Sequence, residues 1–190
     1  KTGMQYACGE WTVFVDSDDW IEPNTFSRLM NTVGEETDVA IFGINFRYEN
    51  KRGEENYVLS VNPERTVCKS ACEIGGLIAE LDDKALFPYM WNKLYRTEFL
   101  KVSGVEFNSI QSMEDFFFNI ELIPKARCAE TFDFPLYNYR KPFHETLASA
   151  YNPDYFLLSK KRYSAEKECL EATGAATAEN MQLLYKIYIK

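Results

Sequence analysis

An apolar run that stops at a cluster of aspartates, with a proline soon after, most constrains how this chain can fold. Residues Trp11 to Val15 are apolar apart from Thr12, which predicts a strand buried on both faces of a parallel or mixed sheet. The run ends at Asp16, and Pro23 then predicts the start of a helix. A strand followed by a helix is half of a βαβ unit, so we expect an α/β fold.

The acidic residues after the strand indicate a cation site. Asp16 and Asp18 are two positions apart, so an extended backbone would place both side chains on one face. Ligands of open α/β sheets bind at the carboxyl ends of the strands. Two carboxylates there suit Mg²⁺ or Mn²⁺, which completes its coordination with water and substrate phosphates. The alternative is a solvated acidic loop, since Asp and Ser also favour turns.

Three known uses of such a turn can be compared. Counting from Asp16, an EF-hand loop would need glycine at Ile21 and glutamate at Ser27, so the sequence excludes it. A haloacid-dehalogenase-type phosphatase also has DxD after an apolar strand, but with Thr or Val shortly after, where this chain has Asp19 and Trp20. The third use is the metal–diphosphate site of a nucleotide-sugar glycosyltransferase.

The rest of the chain alternates strand and helix patterns. In the helix after Pro23, apolar residues recur at helical spacing: Phe26, Leu29, Met30 and Val33. The later patterns predict a strand at Thr37–Phe46, a solvent-facing charged hairpin, a helix at Ser70–Leu81, a helix from Met113 to Ile123 that Pro124 ends, and two helical stretches from Asp154 to Lys190. We therefore divide the chain into an α/β portion, 1–152, and a helical extension, 153–190.

Four segments together resemble the family 2 glycosyltransferases of bacteria. GMQYACGEWTVFVDSDDWIEP, from Gly3, resembles the family's Ala-x-Gly-Glu turn, apolar strand and DxDD. WNKLYRTEFL from Trp91, MEDFFFN from Met113 and PLYNYRK from Pro135 resemble later blocks in the same order. The resemblance implies a partial GT-A fold, which is a mixed α/β sheet flanked by helices, here with a C-terminal helical tail.

The resemblance also implies roles for three aspartates in the transfer of a sugar from a nucleotide diphosphate with inversion. Asp16 would lie near the donor ribose and metal, Asp18 would hold the metal on the diphosphate, and Asp115 would be the general base. Displacement at the anomeric carbon requires a carboxylate that takes the acceptor's proton and a metal that neutralises the leaving diphosphate. The alternative for Glu114 and Asp115 is a favourable interaction with the helix dipole.

Further candidates follow from the later blocks. The residues predicted to bind the acceptor or a phosphate are Trp91, Asn92, Lys93, Glu114 and Arg140. The alternative for Trp91 is that its ring is part of the hydrophobic core. His144 is predicted as a third metal ligand, with a solvated loop histidine as the alternative.

Composition limits the partners and the compartment. The net charge of -8 disfavours nucleic acid as a partner. The resemblance implies a nucleotide-diphosphate sugar as donor, a glycan or lipid-linked acceptor in bacterial surface polysaccharide synthesis, and Mn²⁺ or Mg²⁺ as cofactor. No apolar stretch approaches the roughly 20 residues that cross a bilayer, and the scattered cysteines are typical of reduced thiols. We therefore predict a cytoplasmic protein with at most peripheral contact with the inner face of the cell membrane.

The chain also departs from the family pattern. The family's opening block, with its first strand and nucleotide contacts, has no counterpart after Lys1. We therefore expect an incomplete, inactive fragment that self-associates through an exposed sheet edge or covers that edge with its C-terminal helices. No QxxRW block is present, which favours a single-addition enzyme. The functional alternatives are a Mg²⁺-dependent phosphatase of the haloacid-dehalogenase type and a non-catalytic carbohydrate-binding domain.

Overall fold

The computed structural model describes residues 2–107, 112–143 and 152–188. The described residues form seven strands: β1 Trp11–Val13, β2 Trp20–Ile21, β3 Val39–Glu49, β4 Glu55–Val61, β5 Thr66–Cys68, β6 Lys93–Arg96 and β7 Ala129–Lys141. The same residues form seven α-helices: α1 Thr2–Tyr6, α2 Thr25–Met30, α3 Ala71–Asp83, α4 Thr97–Val102, α5 Glu114–Leu122, α6 Tyr155–Ala172 and α7 Ala178–Tyr188. A 3₁₀ turn, Ile123–Lys125, contains Pro124 and follows α5, so the predicted end of this helix is confirmed.

All seven strands belong to one mixed sheet. Strands β1, β6, β3, β7 and β2 lie side by side in that order, while β4 pairs with β3 and β5 pairs with β7. The β3–β7 pair is parallel, and the other pairs are antiparallel. Helices pack against this sheet, so the predicted α/β class is confirmed.

Strand β3 is the centre of the core. Its first eight residues are buried, because β6 and β7 flank it and helices cover it. The apolar cluster around β3 includes Ile74 and Ile78 of α3 and Phe116 and Phe118 of α5. The strand predicted at Thr37–Phe46 is therefore confirmed, and it continues to Glu49.

The first predicted strand is shorter and more exposed than expected. Strand β1 ends at Val13, its residues are half-buried, and it pairs only with β6. It is an edge strand among the described residues, which corrects the prediction of a strand buried on both faces. A short apolar run does not by itself distinguish an edge strand from a central one.

Helix α2 also buries less than its pattern predicted. It begins at Thr25, two residues after Pro23, and it buries Thr25 and Leu29. Phe26 and Met30 are 44% and 42% exposed. A six-residue helix has few turns, so only one narrow side of it reaches the sheet.

Two other predicted elements are confirmed. Helix α3 begins after Ser70, whose hydroxyl accepts the Glu73 amide while the Glu73 carboxylate accepts the Ser70 amide, a capping box that fixes its start. The β3–β4 hairpin faces solvent, since six of the seven residues of β4 are exposed.

The C-terminal tail forms the two predicted helices and packs on the helical layer. Helix α6 contacts α3, α5 and α7, and α7 contacts α3. The Arg162 guanidinium of α6 lies 4.5 Å from the Phe116 ring centroid of α5 and pairs with the Asp82 carboxylate of α3. The tail thus packs chiefly on α3 and α5, and the expectation that it covers the sheet edge is wrong.

No helix within the described ranges is both long enough and apolar enough to cross a membrane.

Candidate functional site

The acidic turn, defined as residues 16–19, connects β1 to β2. The Asp19 amide donates to the Asp16 carbonyl oxygen at 3.2 Å, which closes a turn of the kind that Asp and Ser favour. The backbone is therefore not extended, and the prediction that Asp16 and Asp18 share a strand face is wrong. Both residues are exposed, and neither carboxylate is bonded to another described side chain.

Tyr137 of β7 fixes the acidic turn. Its hydroxyl accepts the Asp16 amide at 3.0 Å and donates to Asp19 Oδ2 at 2.9 Å. The Arg140 amide donates to Asp19 Oδ1 at 2.8 Å. Burial raises the pKa of Asp19 to about 6, although the hydrogen bonds from Arg140 and Tyr137 lower it. Asp19 is thus a structural member of the turn, and Asp16 and Asp18 remain available to a ligand.

Asp115 lies in the first turn of α5 and faces the acidic turn. Its Oδ2 accepts the Met90 amide at 3.3 Å. Burial, with the charges of Glu114 and Asp16 adding to it, raises the pKa of Asp115 to about 6, while the Met90 hydrogen bond and Lys93 oppose this. The pKa of Asp16 is likewise raised, by partial burial first and then by Asp18 and Glu114. The fold therefore brings the acidic turn and the start of α5 within electrostatic reach of each other.

The backbone that leads into α5 is unusual. Ser112 and Met113 have φ angles of 79° and 61°, a left-handed conformation that non-glycine residues rarely adopt. Such conformations cost free energy and occur preferentially at functional sites. Two left-handed residues in succession directly before Glu114 and Asp115 show that the backbone at the start of α5 is constrained. No residue pattern in the sequence predicts this conformation.

Trp91 belongs to a stack of aromatic rings beneath the acidic turn. Its ring centroid lies 4.2 Å from Tyr137 and 4.4 Å from Tyr89, with nearly parallel planes. Trp91 is only 3% exposed. The predicted contact of Trp91 with an acceptor does not fit this burial, and the ring instead supports Tyr137.

Asn92 and Lys93 are also in the interior. Both side chains are fully buried. Asn92 Nδ2 donates to the Leu86 carbonyl oxygen at 2.9 Å, and Lys93 Nζ donates to carbonyl oxygens of the same loop. The predicted direct contact with acceptor or phosphate does not fit this arrangement, and we assign both residues to holding the loop. Sequence patterns place most lysines at the surface, so this burial was not predictable.

The remaining candidates lie at the border of the site. Glu114 is exposed beside Asp115. The Arg140 amide holds Asp19, and Arg140 Nε donates to Glu49 Oε1 at 2.5 Å. His144 lies outside the described residues, so its predicted role as a metal ligand stays a prediction.

The chemistry of the exposed carboxylates suits a hard cation. Among the described residues, no three His, Cys, Asp or Glu side chains are grouped to hold a metal ion. Mg²⁺ and Mn²⁺ commonly need only one or two protein carboxylates, with water and phosphate oxygens as the other ligands. Asp16 and Asp18 fit that requirement, since both are exposed. Burial first, and then the charges of Asp18 and Glu114, raise the pKa of Asp16, and a bound cation would offset that repulsion.

Comparisons of the sequence with known proteins point to one family. The family model described as glycosyl transferase family 2 matches residues 1–103. The putative glycosyltransferase EpsH of Bacillus subtilis (strain 168) is 30% identical over 141 residues, which are 73% of this chain and 39% of EpsH. The uncharacterized glycosyltransferase EpsJ of the same organism is 27% identical over 180 residues, 94% of this chain and 51% of EpsJ. The chain thus spans about half of these relatives or less.

Comparisons of the structure agree on the fold. S. aureus TarS 1-349 in complex with UDP-GlcNAc matches with a TM-score of 0.62 and 22% identity, over 98% of this chain and 50% of that one. The same protein in complex with UDP matches with a TM-score of 0.61 and 20% identity, over 98% of this chain and 48% of that one. At such identities the likeness speaks for the fold alone, and it confirms the predicted GT-A type.

Proposed function

Because this chain belongs to glycosyl transferase family 2, we propose that it transfers a sugar from a nucleotide-diphosphate donor to a glycan or lipid-linked acceptor, with inversion. The observation that carries the proposal is the set of contacts that links Asp115 to the acidic turn. The Met90 amide donates to Asp115 Oδ2 at 3.3 Å, and the next residue, Trp91, stacks on Tyr137, which holds the turn. We assign the reaction to bacterial surface polysaccharide synthesis in the cytoplasm, with at most peripheral contact with the membrane. The likeness to a TarS complex with UDP-GlcNAc supports a nucleotide-sugar donor.

Asp16 and Asp18 are assigned to donor binding. Both carboxylates are exposed at the acidic turn, which Tyr137 holds closed. They would hold Mn²⁺ or Mg²⁺ against the donor diphosphate, and His144 is proposed as a further ligand. When bound, the ion neutralises the charge that develops on the leaving diphosphate.

Asp115 is assigned as the general base. With a pKa of about 6 it is ionised at neutral pH yet more basic than an ordinary aspartate, which suits proton transfer near the working pH. The acceptor hydroxyl passes its proton to Asp115, its oxygen bonds to the anomeric carbon, and the bond from that carbon to the diphosphate breaks. The nucleoside diphosphate leaves from the opposite face, which inverts the anomeric configuration.

The test is sugar transfer by the native gene product. Uridine, guanosine, thymidine and cytidine diphosphate sugars are supplied with Mn²⁺, and release of the nucleoside diphosphate is measured with and without oligosaccharide or lipid-linked acceptors. We expect Asp115→Asn to lower kcat by roughly 10² to 10⁴, the usual contribution of a positioned base. The neighbouring Glu114→Gln is the matched control and should lower it far less.

Three outcomes would contradict the proposal. Transfer by Asp115→Asn within a few-fold of the wild-type rate would remove Asp115 as the base. Mg²⁺-dependent hydrolysis of phosphate esters without any acceptor would favour a phosphatase. Sugar binding that survives EDTA, without transfer, would favour a carbohydrate-binding domain.

A further inference from the structure

The loop segment Leu86–Met90 is held by two buried side chains on other elements. Lys93 lies at the start of β6 and Asn119 lies on α5, and both are fully buried. Lys93 Nζ donates to the carbonyl oxygens of Leu86 at 3.2 Å, Phe87 at 2.9 Å and Tyr89. Asn119 Nδ2 lies within hydrogen-bond distance of the carbonyl oxygens of Phe87 at 3.1 Å, Pro88 at 3.0 Å and Tyr89 at 3.1 Å. Lys93 and Asn119 thus bind four consecutive carbonyl groups, and Asn92 Nδ2 also donates to the first of them, that of Leu86.

A third residue orients the asparagine. The Tyr95 hydroxyl donates to Asn119 Oδ1 at 2.8 Å, which directs the amide nitrogen of Asn119 toward the loop segment. Tyr95 is itself fully buried, so water does not compete for this bond. Lys93, Asn119 and Tyr95 together form what we call the carbonyl clamp.

The end of the clamped segment is linked to both parts of the candidate site, Asp115 and the acidic turn. The Met90 amide donates to Asp115 Oδ2 at 3.3 Å. The next residue, Trp91, stacks at 4.2 Å on Tyr137, which holds the acidic turn. A shift of the segment would therefore be transmitted to Asp115 directly and to the turn through the ring stack.

Burying the ammonium group of Lys93 in this position costs free energy. Its ammonium group contacts carbonyl and amide oxygens, including Asn92 Oδ1 at 2.9 Å, and no carboxylate pairs with it within the described residues. Burial lowers the pKa of Lys93 to about 7, although the charges of Asp115 and Asp82 oppose this. Keeping the ammonium form in this place is therefore costly, and an apolar side chain of similar length would avoid that cost. The cost is consistent with a requirement for this loop geometry beyond stability.

We propose that Lys93 and Asn119 are positioning residues for the Asp115 carboxylate, acting through the Met90 amide. By fixing four carbonyl groups they fix the direction of the next N–H bond, and that bond orients the carboxylate toward the acceptor hydroxyl. The inference rests on the proposed function, because it concerns the base of the same reaction.

The first measurement does not depend on activity. The chain has five methionines, so protein labelled with [¹⁵N]methionine gives few amide signals, and Met90 can be assigned by substitution. Tyr95→Phe removes only the hydroxyl that orients Asn119, and Lys93→Met removes the ammonium donors. We expect hydrogen exchange at the Met90 amide to accelerate about tenfold in Tyr95→Phe, as for the loss of one hydrogen bond, and more in Lys93→Met. The matched control Tyr188→Phe removes another phenol hydroxyl from α7 and should leave the Met90 amide unchanged.

The second measurement separates positioning from folding. In the transfer assay, Tyr95→Phe should lower kcat about tenfold and leave the KM for the donor within about twofold, since the donor contacts the acidic turn. Wild-type exchange at the Met90 amide in Tyr95→Phe overturns the inference, whatever the transfer assay shows. Faster exchange with an unchanged kcat overturns it as well. Should Lys93→Met fail to fold, Tyr95→Phe alone decides the inference. The Asp115→Asn variant tests the proposed function independently, so failure of that function is distinguished from failure of the inference.

Discussion

Asp18 and Asp19 are neighbours in the acidic turn, but the fold uses them differently. The Asp19 carboxylate accepts bonds from the Tyr137 hydroxyl and the Arg140 amide, whereas Asp18 is exposed. We therefore expect Asp18→Ala to lower Mn²⁺ affinity more than tenfold, while Asp19→Ala lowers it less and destabilises the protein by about 1–3 kcal/mol. Calorimetry with Mn²⁺ and a nucleoside diphosphate measures the affinities, and equal losses would count against the assignment.

The raised pKa of Asp115 predicts a pH limit on the reaction. A base must be ionised to accept a proton, and with a pKa of about 6 the protonated fraction of Asp115 grows below pH 6. We expect kcat/KM to fall about tenfold per pH unit below that value. Glu114→Gln removes a charge that raises this pKa, so its profile should shift to lower pH.

Asp19 requires a control, because its pKa is also about 6. The acidic limb should persist in Asp19→Asn if Asp115 causes it. The exposed Glu98 of α4 provides a matched substitution, since Glu98→Gln should leave the profile in place. If the acidic limb of the kcat/KM profile were absent in Asp19→Asn, the pH dependence would be assigned to the acidic turn.

Single residues were predictable where their chemistry is local. Asp16, Asp18 and Asp115 follow from the short motifs that contain them, and their roles stay predictions. Tyr137 was missed because it holds the Asp16 amide across 121 positions, and no local pattern contains that contact. Lys93 was misassigned because the oxygens that bind its ammonium group become available only when the loop is folded around it.

Helix α3 contains two adjacent glycines with opposite surroundings. A Cβ atom on Gly75 would lie 2.2 Å from Thr173 Oγ1 and 2.7 Å from Ala175 Cβ, whereas on Gly76 the nearest atom would be Asn180 Nδ2 at 3.4 Å. We expect Gly75→Ala to destabilise the protein by about 1–3 kcal/mol through overpacking. Gly76→Ala should be neutral or stabilise it by up to about 1 kcal/mol, because alanine favours the helix.

Chemical denaturation of the two variants measures this difference. The expected result is a lower midpoint for Gly75→Ala, at an unchanged slope, and an equal or higher midpoint for Gly76→Ala. Equal midpoints would show that α7 and the turn before it do not approach α3 as closely as the structure has them.

Elements were predictable where a local signal marks their ends. The capping box at Ser70 and Glu73 fixes α3, and Pro124 lies just beyond α5. Glycine disfavours a helix interior, yet Gly75 of α3 is needed for close packing against Thr173 and Ala175. Strand β1 was misplaced because burial depends on the neighbours of a strand in the sheet, and its own residues do not specify them.

A buried carboxyl group, that of Glu166, lies where α6 meets α7 and Asp82 of α3. Glu166 of α6 is fully buried, and Tyr188 of α7 donates to its Oε2 at 3.4 Å. Burial first, and then Asp82, raise the pKa of Glu166 well above its ordinary value of 4.5. Glu166 Oε1 and Asp82 Oδ2 are buried without a hydrogen-bond partner among the described residues. A proton on Glu166 would give these two carboxyl groups a hydrogen bond to each other.

This arrangement predicts that stability depends on pH. The folded state keeps a proton on Glu166 that the unfolded chain releases above about pH 4.5, so the stabilisation is complete below that pH and declines as pH rises. We expect Glu166→Gln, which resembles the protonated group, to lose this decline and to have the higher Tm at pH 8. Thermal melts from pH 5 to 8.5 measure both proteins, and parallel curves would refute a protonated Glu166. Other titrating groups cancel in the comparison.

The parallel β3–β7 pair has a consequence during protein synthesis. It aligns Val39 with Ala129, so the ribosome must add every residue between them before the buried edge of β3 finds its partner. At ~5–20 residues per second this interval lasts roughly 5–20 s, and an unpaired apolar strand is prone to aggregation meanwhile. Tyr137 arrives with β7, so the acidic turn can close only after that pairing. Nascent chains are therefore exposed to chaperones and proteases until the acidic turn is closed.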